Sequence, residues 1–291
     1  MKGEFPAELA EHLCDGLKAM RRRYRKRLTR CQQKFSETAV HDLRIETRRL
    51  LALLDLLRAL HFEDSLRKTR RTFKKRLDAF DELRDTQVQL LLLKPLRRDF
   101  PEAREFELIL RRREKRLIGE LQREIKRTKQ VQLERRLKAL AKELRETGGG
   151  SSPQRTRALA AAALRETFNH VAVLRGRVRR MRTETIHRLR VAFKRYRYAS
   201  ELLQPLFPRL RAGRLRRMQA YQGLMGDIQD MEVLIAAVQQ AVQLALLPAR
   251  NVRSLLQELR RRRRALIDNF LTAADRLSEF RPDSFTQISA P

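Results

Sequence analysis

Apolar residues recur every three or four positions along almost the whole chain. In residues 40–57, VHDLRIETRRLLALLDLL, the leucines at 43, 50, 54 and 57 fall on one side of a helix drawn at about 100° per residue. Alternating β-branched runs, which would mark half-buried strands, are almost absent. Leu, Arg, Ala, Glu and Lys fill the long segments, and all are good helix formers. The ten glycines and nine prolines gather at the segment ends. This pattern predicts an all-α fold. Helices are expected at 6–30, 38–60, 62–83, 85–97 and 102–146, then at 154–179, 184–206, 209–226, 230–246 and 251–280.

Between the two sets lies TGGGSSP, residues 147–153. Its glycines and serines predict a flexible linker, and Pro153 suits the first turn of the next helix. The expected organisation is a first helical bundle over 5–146, the linker, a second bundle over 154–280 and a tail over 281–291. The halves resemble each other. His41 and His187 align at an offset of 146, as do Leu43 with Leu189, Arg44 with Arg190 and Arg48 with Lys194. AFDELRDTQV (79–88) matches LMGDIQDMEV (224–233) at an offset of 145, pairing Asp85 with Asp230. Solenoid periods are roughly 20–50 residues, so similarity at this distance points to an internal duplication. Two bundles related by a pseudo-twofold axis are the simplest architecture.

Each repeated helix carries a cationic side opposite its apolar one. In the first, Arg44, Arg48 and Ala52 fall within about 60° of His41. In the second, IHRLRVAFKRYRYASELL (186–203), His187, Arg190, Lys194 and Tyr198 share a face, with Arg197 at its edge. Most charged helix faces are simply solvated. This one is nearly free of acid, with only Asp55 near it, whereas a solubilising face usually mixes signs for i,i+4 pairing. It also begins at a helix start, where Ser36 or Thr38, and Thr183 or Thr185, are the expected caps. Unpaired N–H groups and the positive dipole end favour phosphate there. Anion binding is the better account. Asp85 and Asp230 are expected to cap helices at the second repeated segment.

The overall charge agrees. Sixty-seven Lys and Arg against thirty-five Asp and Glu leave the 291-residue chain at +32. Self-repulsion on that scale destabilises a compact state, and a polyanionic partner relieves it. Denser basic runs add to the two faces: Arg21, Arg22 and Arg25 in RRRYRKR, Arg111 to Arg113 (Arg112 among them) with Lys115, and Arg260 to Arg264, including Arg261. One face of each run is expected to reach the anion. Cys14 and Cys31 are too few for a disulfide framework, which fits a reducing cytoplasm. MKGEFPAELAEHL has Glu and Pro where a signal peptide needs an apolar stretch. LIAAVQQAVQLALLPA (234–249) is interrupted by glutamines and shorter than the roughly 18 apolar residues of a span, so a buried helix is expected there.

The paired HxxR helices, each followed by an Arg–Asp–x–x–Val-like segment, resemble the CHAD family, the conserved-histidine α-helical domains. The resemblance runs over about residues 5–280. It implies two four-helix bundles with pseudo-twofold symmetry, basic residues gathered along a central groove or pore, and binding of inorganic polyphosphate without catalysis. It places His41, Arg44 and Arg48 in the first motif, and His187, Arg190 and Lys194 in the second. The chain departs from the family at Phe80–Asp81, where Leu–Gly is usual before Arg–Asp, and at Gln229–Asp230, where Arg–Asp is usual. The partner so implied suggests association with polyphosphate granules.

Enzymatic alternatives are weaker. His41–Asp42 forms an HD doublet, the mark of metal-dependent phosphohydrolases, but the repeat has Arg188 in place of the Asp and the chain holds only five histidines. EFELI (105–109) lacks the lysine of an ExExK strand motif and sits in a helical context. No P-loop, HExxH, GxSxG or zinc spacing occurs, and no cofactor or metal is expected. Nonspecific nucleic-acid binding is the principal alternative, because a chain of pI near 11.4 meets any phosphate backbone through counterion release. Sequence-specific readers add base contacts or stacking aromatics, and this chain has no Trp and 6% aromatics. Attachment to anionic membranes would require exposed apolar residues beside the cations, and the apolar stripes here are committed to cores.

Overall fold

The computed structural model describes residues 5–59, 64–128, 130–146, 148–149, 153–250 and 252–286. Almost all of them are helical. The first half contains α1 (Ala7–Gln33), α2 (Glu37–Ala59), α3 (Asp64–Ala79), α4 (Asp81–Leu93), α5 (Pro101–Arg127) and α6 (Gln130–Glu146). The second contains α7 (Pro153–Gly176), α8 (Thr183–Leu203), α9 (Ala212–Gln243), α10 (Arg253–Thr272) and the single turn α11 (Asp283–Thr286). A two-residue parallel pair, β1 (Phe5–Pro6) with β2 (Gly148–Gly149), ties the start of α1 to the segment between the halves. Those two glycines are therefore part of a ladder. The other predicted linker residues before Pro153 lie outside the described residues.

The apolar spacing decides which faces meet. Leu43, Leu50, Leu54 and Leu57 of α2 are all essentially inaccessible, as are Leu189, Phe193, Tyr196 and Leu203 of α8. Each such burial contributes about 1.5–3 kcal/mol. In the first half α1 packs on α2 and α4 on α5, and in the second α7 packs on α8 and α9 on α10. The halves join where α2 meets α8 and α4 meets α9. Helix α6 returns along α1 and α3. The core does not divide at the linker. One cluster includes Leu50, Leu121, Leu164, Phe193 and Phe270, and another includes Leu93, Phe106, Leu234, Val238 and Leu259. Each draws on both halves. Aromatic edges knit the second half, with Phe193 against Tyr196, Tyr221 and Phe280.

Several boundaries differ from the expectation. The predicted helices 209–226 and 230–246 are one helix, α9. Met218, Tyr221, Met225, Ile228, Met231 and Leu234 bury a stripe that never breaks period. The predicted helix 102–146 turns at Thr128. There the Gln32 side-chain amide donates to the Ile125 and Thr128 carbonyls at 3.0 and 3.3 Å, satisfying acceptors left open by the helix end. The junction between α3 and α4 falls at buried Phe80. Residues 281–286, read as tail, fold back so that Phe285 is buried against Phe207. The apolar stretch 234–249 turns Leu234, Ile235, Val238 and Ala241 into the core. No helix among the described residues is long and apolar enough to cross a membrane.

Candidate functional site

The two HxxR helices meet each other. Because α2 packs on α8 and α4 on α9, the cationic faces of both copies and both Asp85-type segments come to the same place. Ser36 caps α2 as expected: the Ala39 N–H donates to Ser36 Oγ at 3.3 Å, and Thr38 lies inside the helix. Neither threonine caps α8. Thr185 Oγ instead accepts from Arg179 N–H at 3.0 Å and donates to Arg182 O at 2.6 Å, tightening the turn before the helix.

His41 and His187 are both exposed in their first turns. His187 Nδ1 lies 2.6 Å from Gln229 Oε1, so Nδ1 is the donor. Its Nε2 can then donate to an anion only when the ring is imidazolium. Gln229, where the family has arginine, thus orients the histidine.

One turn further in, the cations are desolvated. Arg44 is 5% exposed, donates to Asp81 Oδ1 at 2.9 Å and to Leu77 O at 3.4 Å, and is held below the usual arginine range by burial and by Arg48. Arg190 is shifted down by burial, with Asp230 opposing the shift and Arg48 adding to it. The Nε atoms of Arg48 and Arg190 are buried and meet no acceptor. A Cβ on Gly226 would stand 3.8 Å from Arg190 Nε, in ordinary van der Waals contact. Lys194 is pushed down to about 8, by burial first and then by Arg48 and Arg190.

The acids beside them answer in kind. Desolvation raises Asp230, against the pull of Arg190, Arg84 and Arg48. Asp85 is raised by desolvation and by Asp81 and Asp230. Neither is a helix cap. Asp85 lies a turn inside α4 and Asp230 lies in mid-α9, because α4 starts earlier than predicted and α9 has no break. Their role is to temper the cations. Arg84 belongs to this cluster as well, and sequence reasoning missed it although it stands in the Arg84–Asp85 doublet. Lys74 of α3, which also acts on Lys194, carried no sequence signal. Among the described residues, no group of three or more His, Cys, Asp or Glu is placed to hold a metal ion.

The remaining predicted residues lie elsewhere. Arg197 is 7% exposed, ion-paired with Glu201, bonded through Nε to Gln222 Oε1 at 2.9 Å and stacked 4.3 Å over the Tyr198 ring. Its charge is matched within the protein. Arg21, Arg22 and Arg25 lie on α1, with Arg21 facing the α6 groove and Arg25 3.8 Å from Glu134. Arg112 is exposed on α5. Arg261 on α10 is paired with Glu258, whose carboxyl is pushed down to about 2 by Arg261 and Arg262.

Comparison with known proteins accords with this geometry. The family model for the CHAD domain matches residues 11–239. The crystal structure of the CHAD domain from the plant Ricinus communis superposes with a TM-score of 0.66 at 18% identity, covering 95% of this chain and 91% of that one. At that identity the likeness establishes the fold. No functionally curated protein matches the chain.

Proposed function

The chain belongs to the CHAD family, and from that premise we propose that it binds inorganic polyphosphate at the junction of α2 and α8, without catalysing a reaction. One observation carries the proposal: Arg48, Arg190 and Lys194, from opposite halves, converge half-buried, and at Lys194 the cations Arg48, Arg190 and Lys74 outweigh the one opposing carboxylate, Asp81. Two of them hold buried Nε atoms without an acceptor. Burying like charges together is unfavourable unless an anion completes the set. Phosphate oxygens suit it, since a guanidinium engages them through two parallel N–H bonds and keeps its charge.

The aromatic inventory favours a chain of bare phosphates over nucleic acid. Tyr24, Tyr196 and Tyr221 are buried, and Tyr198 lies under Arg197. No tyrosine is left to stack a base. Duplex or single-stranded nucleic acid is then held through counterion release alone.

The test is a titration of long-chain polyphosphate into the wild type and into Arg48→Gln with Arg190→Gln. Circular dichroism checks that helicity is unchanged. The expected result is a loss of roughly tenfold or more in affinity, with a far smaller loss for duplex DNA. Equal losses for both polymers would indicate a diffuse basic coat and sink the proposal. Release of orthophosphate with Mg²⁺ or Mn²⁺, abolished by His41→Ala, would overturn its non-catalytic part.

A further inference from the structure

A second concentration of cations lies on the other side of α3. A cleft of about 790 Å³ opens between α3, the last turns of α5, and α6. Helix α3 has two working faces. Leu66, Thr69 and Phe73 turn into the core. Lys68, Arg71 and Lys75, at helical i, i+3, i+7 spacing, line the cleft. Arg123 and Arg127 of α5 and Arg136 of α6 face them.

The charge here is unmatched. Some surface arginines elsewhere find carboxylates, as Arg113 does at Glu82 and Arg263 at Glu232. None of the seven lysines and arginines lining the cleft makes an ion pair with a described carboxylate. Of the two glutamates on the wall, Glu120 and Glu124, Glu120 is ion-paired with Arg116 at 3.1 Å. Arg136 Nη1 donates to Thr72 Oγ1 at 3.0 Å, which holds its guanidinium over the cleft. The Arg76 guanidinium is held at the Tyr24 hydroxyl at 2.8 Å. At the C-terminal end of α5, the Ile125 and Thr128 carbonyls accept from the Gln32 amide.

We propose that this cleft is a second anion site, separate from the α2–α8 cluster, and that it takes a short condensed phosphate. The volume is that of a small-ligand pocket, roughly 300–1,000 Å³. The cations face the cleft from three helices, so an anion of several charges there is held from more than one side. The walls are mainly guanidinium and ammonium heads on methylene stems, with Thr72, Thr128, Glu120 and Glu124 among them and no aromatic side chain to hold a base. A triphosphate without a nucleoside therefore presents everything the cleft can recognise.

The experiment is calorimetric titration of inorganic tripolyphosphate into the full chain. It is repeated with a cleft variant (Arg71→Gln, Lys75→Gln, Arg123→Gln) and with a charge-matched control of exposed cations far from both sites (Arg177→Gln, Arg250→Gln, Arg253→Gln). The cleft variant should lose one of two binding events, or roughly tenfold or more in that event's affinity, while the control changes little. An unchanged isotherm in the cleft variant, or the same loss in the control, overturns the proposal. ATP offers the same triphosphate with a base and should bind no more tightly; tighter ATP binding overturns the assignment of the ligand. Arg48→Gln with Arg190→Gln should leave the cleft event in place. Failure at the cleft is thus separable from failure at the central cluster.

Discussion

Lys194 sets the pH dependence of the central cluster. Its protonated form is disfavoured by burial and by Arg48 and Arg190, bringing its pKa down to about 8. A bound polyanion reverses that bias and restores the ammonium. Binding near pH 8–9 should therefore take up protons, and affinity should fall as pH rises through about 8. Calorimetry in buffers of different ionisation enthalpy reads the uptake, and Lys194→Met should abolish it. The stability linkage has the opposite sense. Because the folded pKa lies below the ordinary lysine value of 10.5, the unfolded chain binds more protons between about 8 and 10.5, so this residue's contribution to stability improves as pH climbs through that window. Asp81 offers a second test. It is half-exposed but neutralises buried Arg44. Asp81→Asn should cost about 1–2 kcal/mol of stability and at the same time strengthen polyphosphate binding by freeing Arg44. A variant that loses both would make Arg44 structural.

At the scale of elements, helix ends differ most from what periodicity predicts. Apolar spacing located nearly every helix, because burial of one face dominates helix stability in a folded chain. It could not place the turn at Thr128, which depends on Gln32 from α1 reaching across to cap α5. It could not show that Asp85 and Asp230 sit inside helices, since an acidic residue reads alike as a cap and as a partner for a distant arginine. The end of α9 is a further case. Ala245 takes φ 54, and its N–H and that of Leu246 return to Val242 O and Ala241 O at 3.0 and 2.9 Å. This closes the helix with a left-handed residue where glycine is usual. Ala245→Gly removes the steric cost of that conformation and should stabilise the fold by about 1 kcal/mol. The midpoint of urea unfolding should rise with an unchanged slope.

For the whole molecule, the charge of +32 acts through its distribution. Surface ion pairs, such as Arg97 with Glu107 and Arg261 with Glu258, are each of small energetic weight and, taking one charge of each sign, leave that excess unchanged. Part of the excess is gathered at the α2–α8 junction and in the α3–α5–α6 cleft. Long-chain polyphosphate should therefore outcompete duplex DNA of equal charge at about 150 mM salt, and DNA binding should show the steeper salt dependence. A fluorescence competition assay across a salt series measures both, and parallel curves would contradict the shaped-site account.

The sequence alone determined the helical class, the paired HxxR helices and the side of each that carries charge, because period and composition are local properties of the chain. It also supplied His41, Arg44, Arg48, His187, Arg190 and Lys194. Only the tertiary structure decided which of the many arginines act together. Arg197 lies on the same helix as Lys194, yet Glu201 and Gln222 consume its donors. Arg84 and Lys74 join the central cluster from helices whose placement is set by packing, and the cleft assembles cations separated by up to dozens of positions in the chain. Charge counts in a sequence are blind to this, because a guanidinium's electrostatic role depends on which carboxylates stand within a few ångströms, and long-range packing alone fixes that.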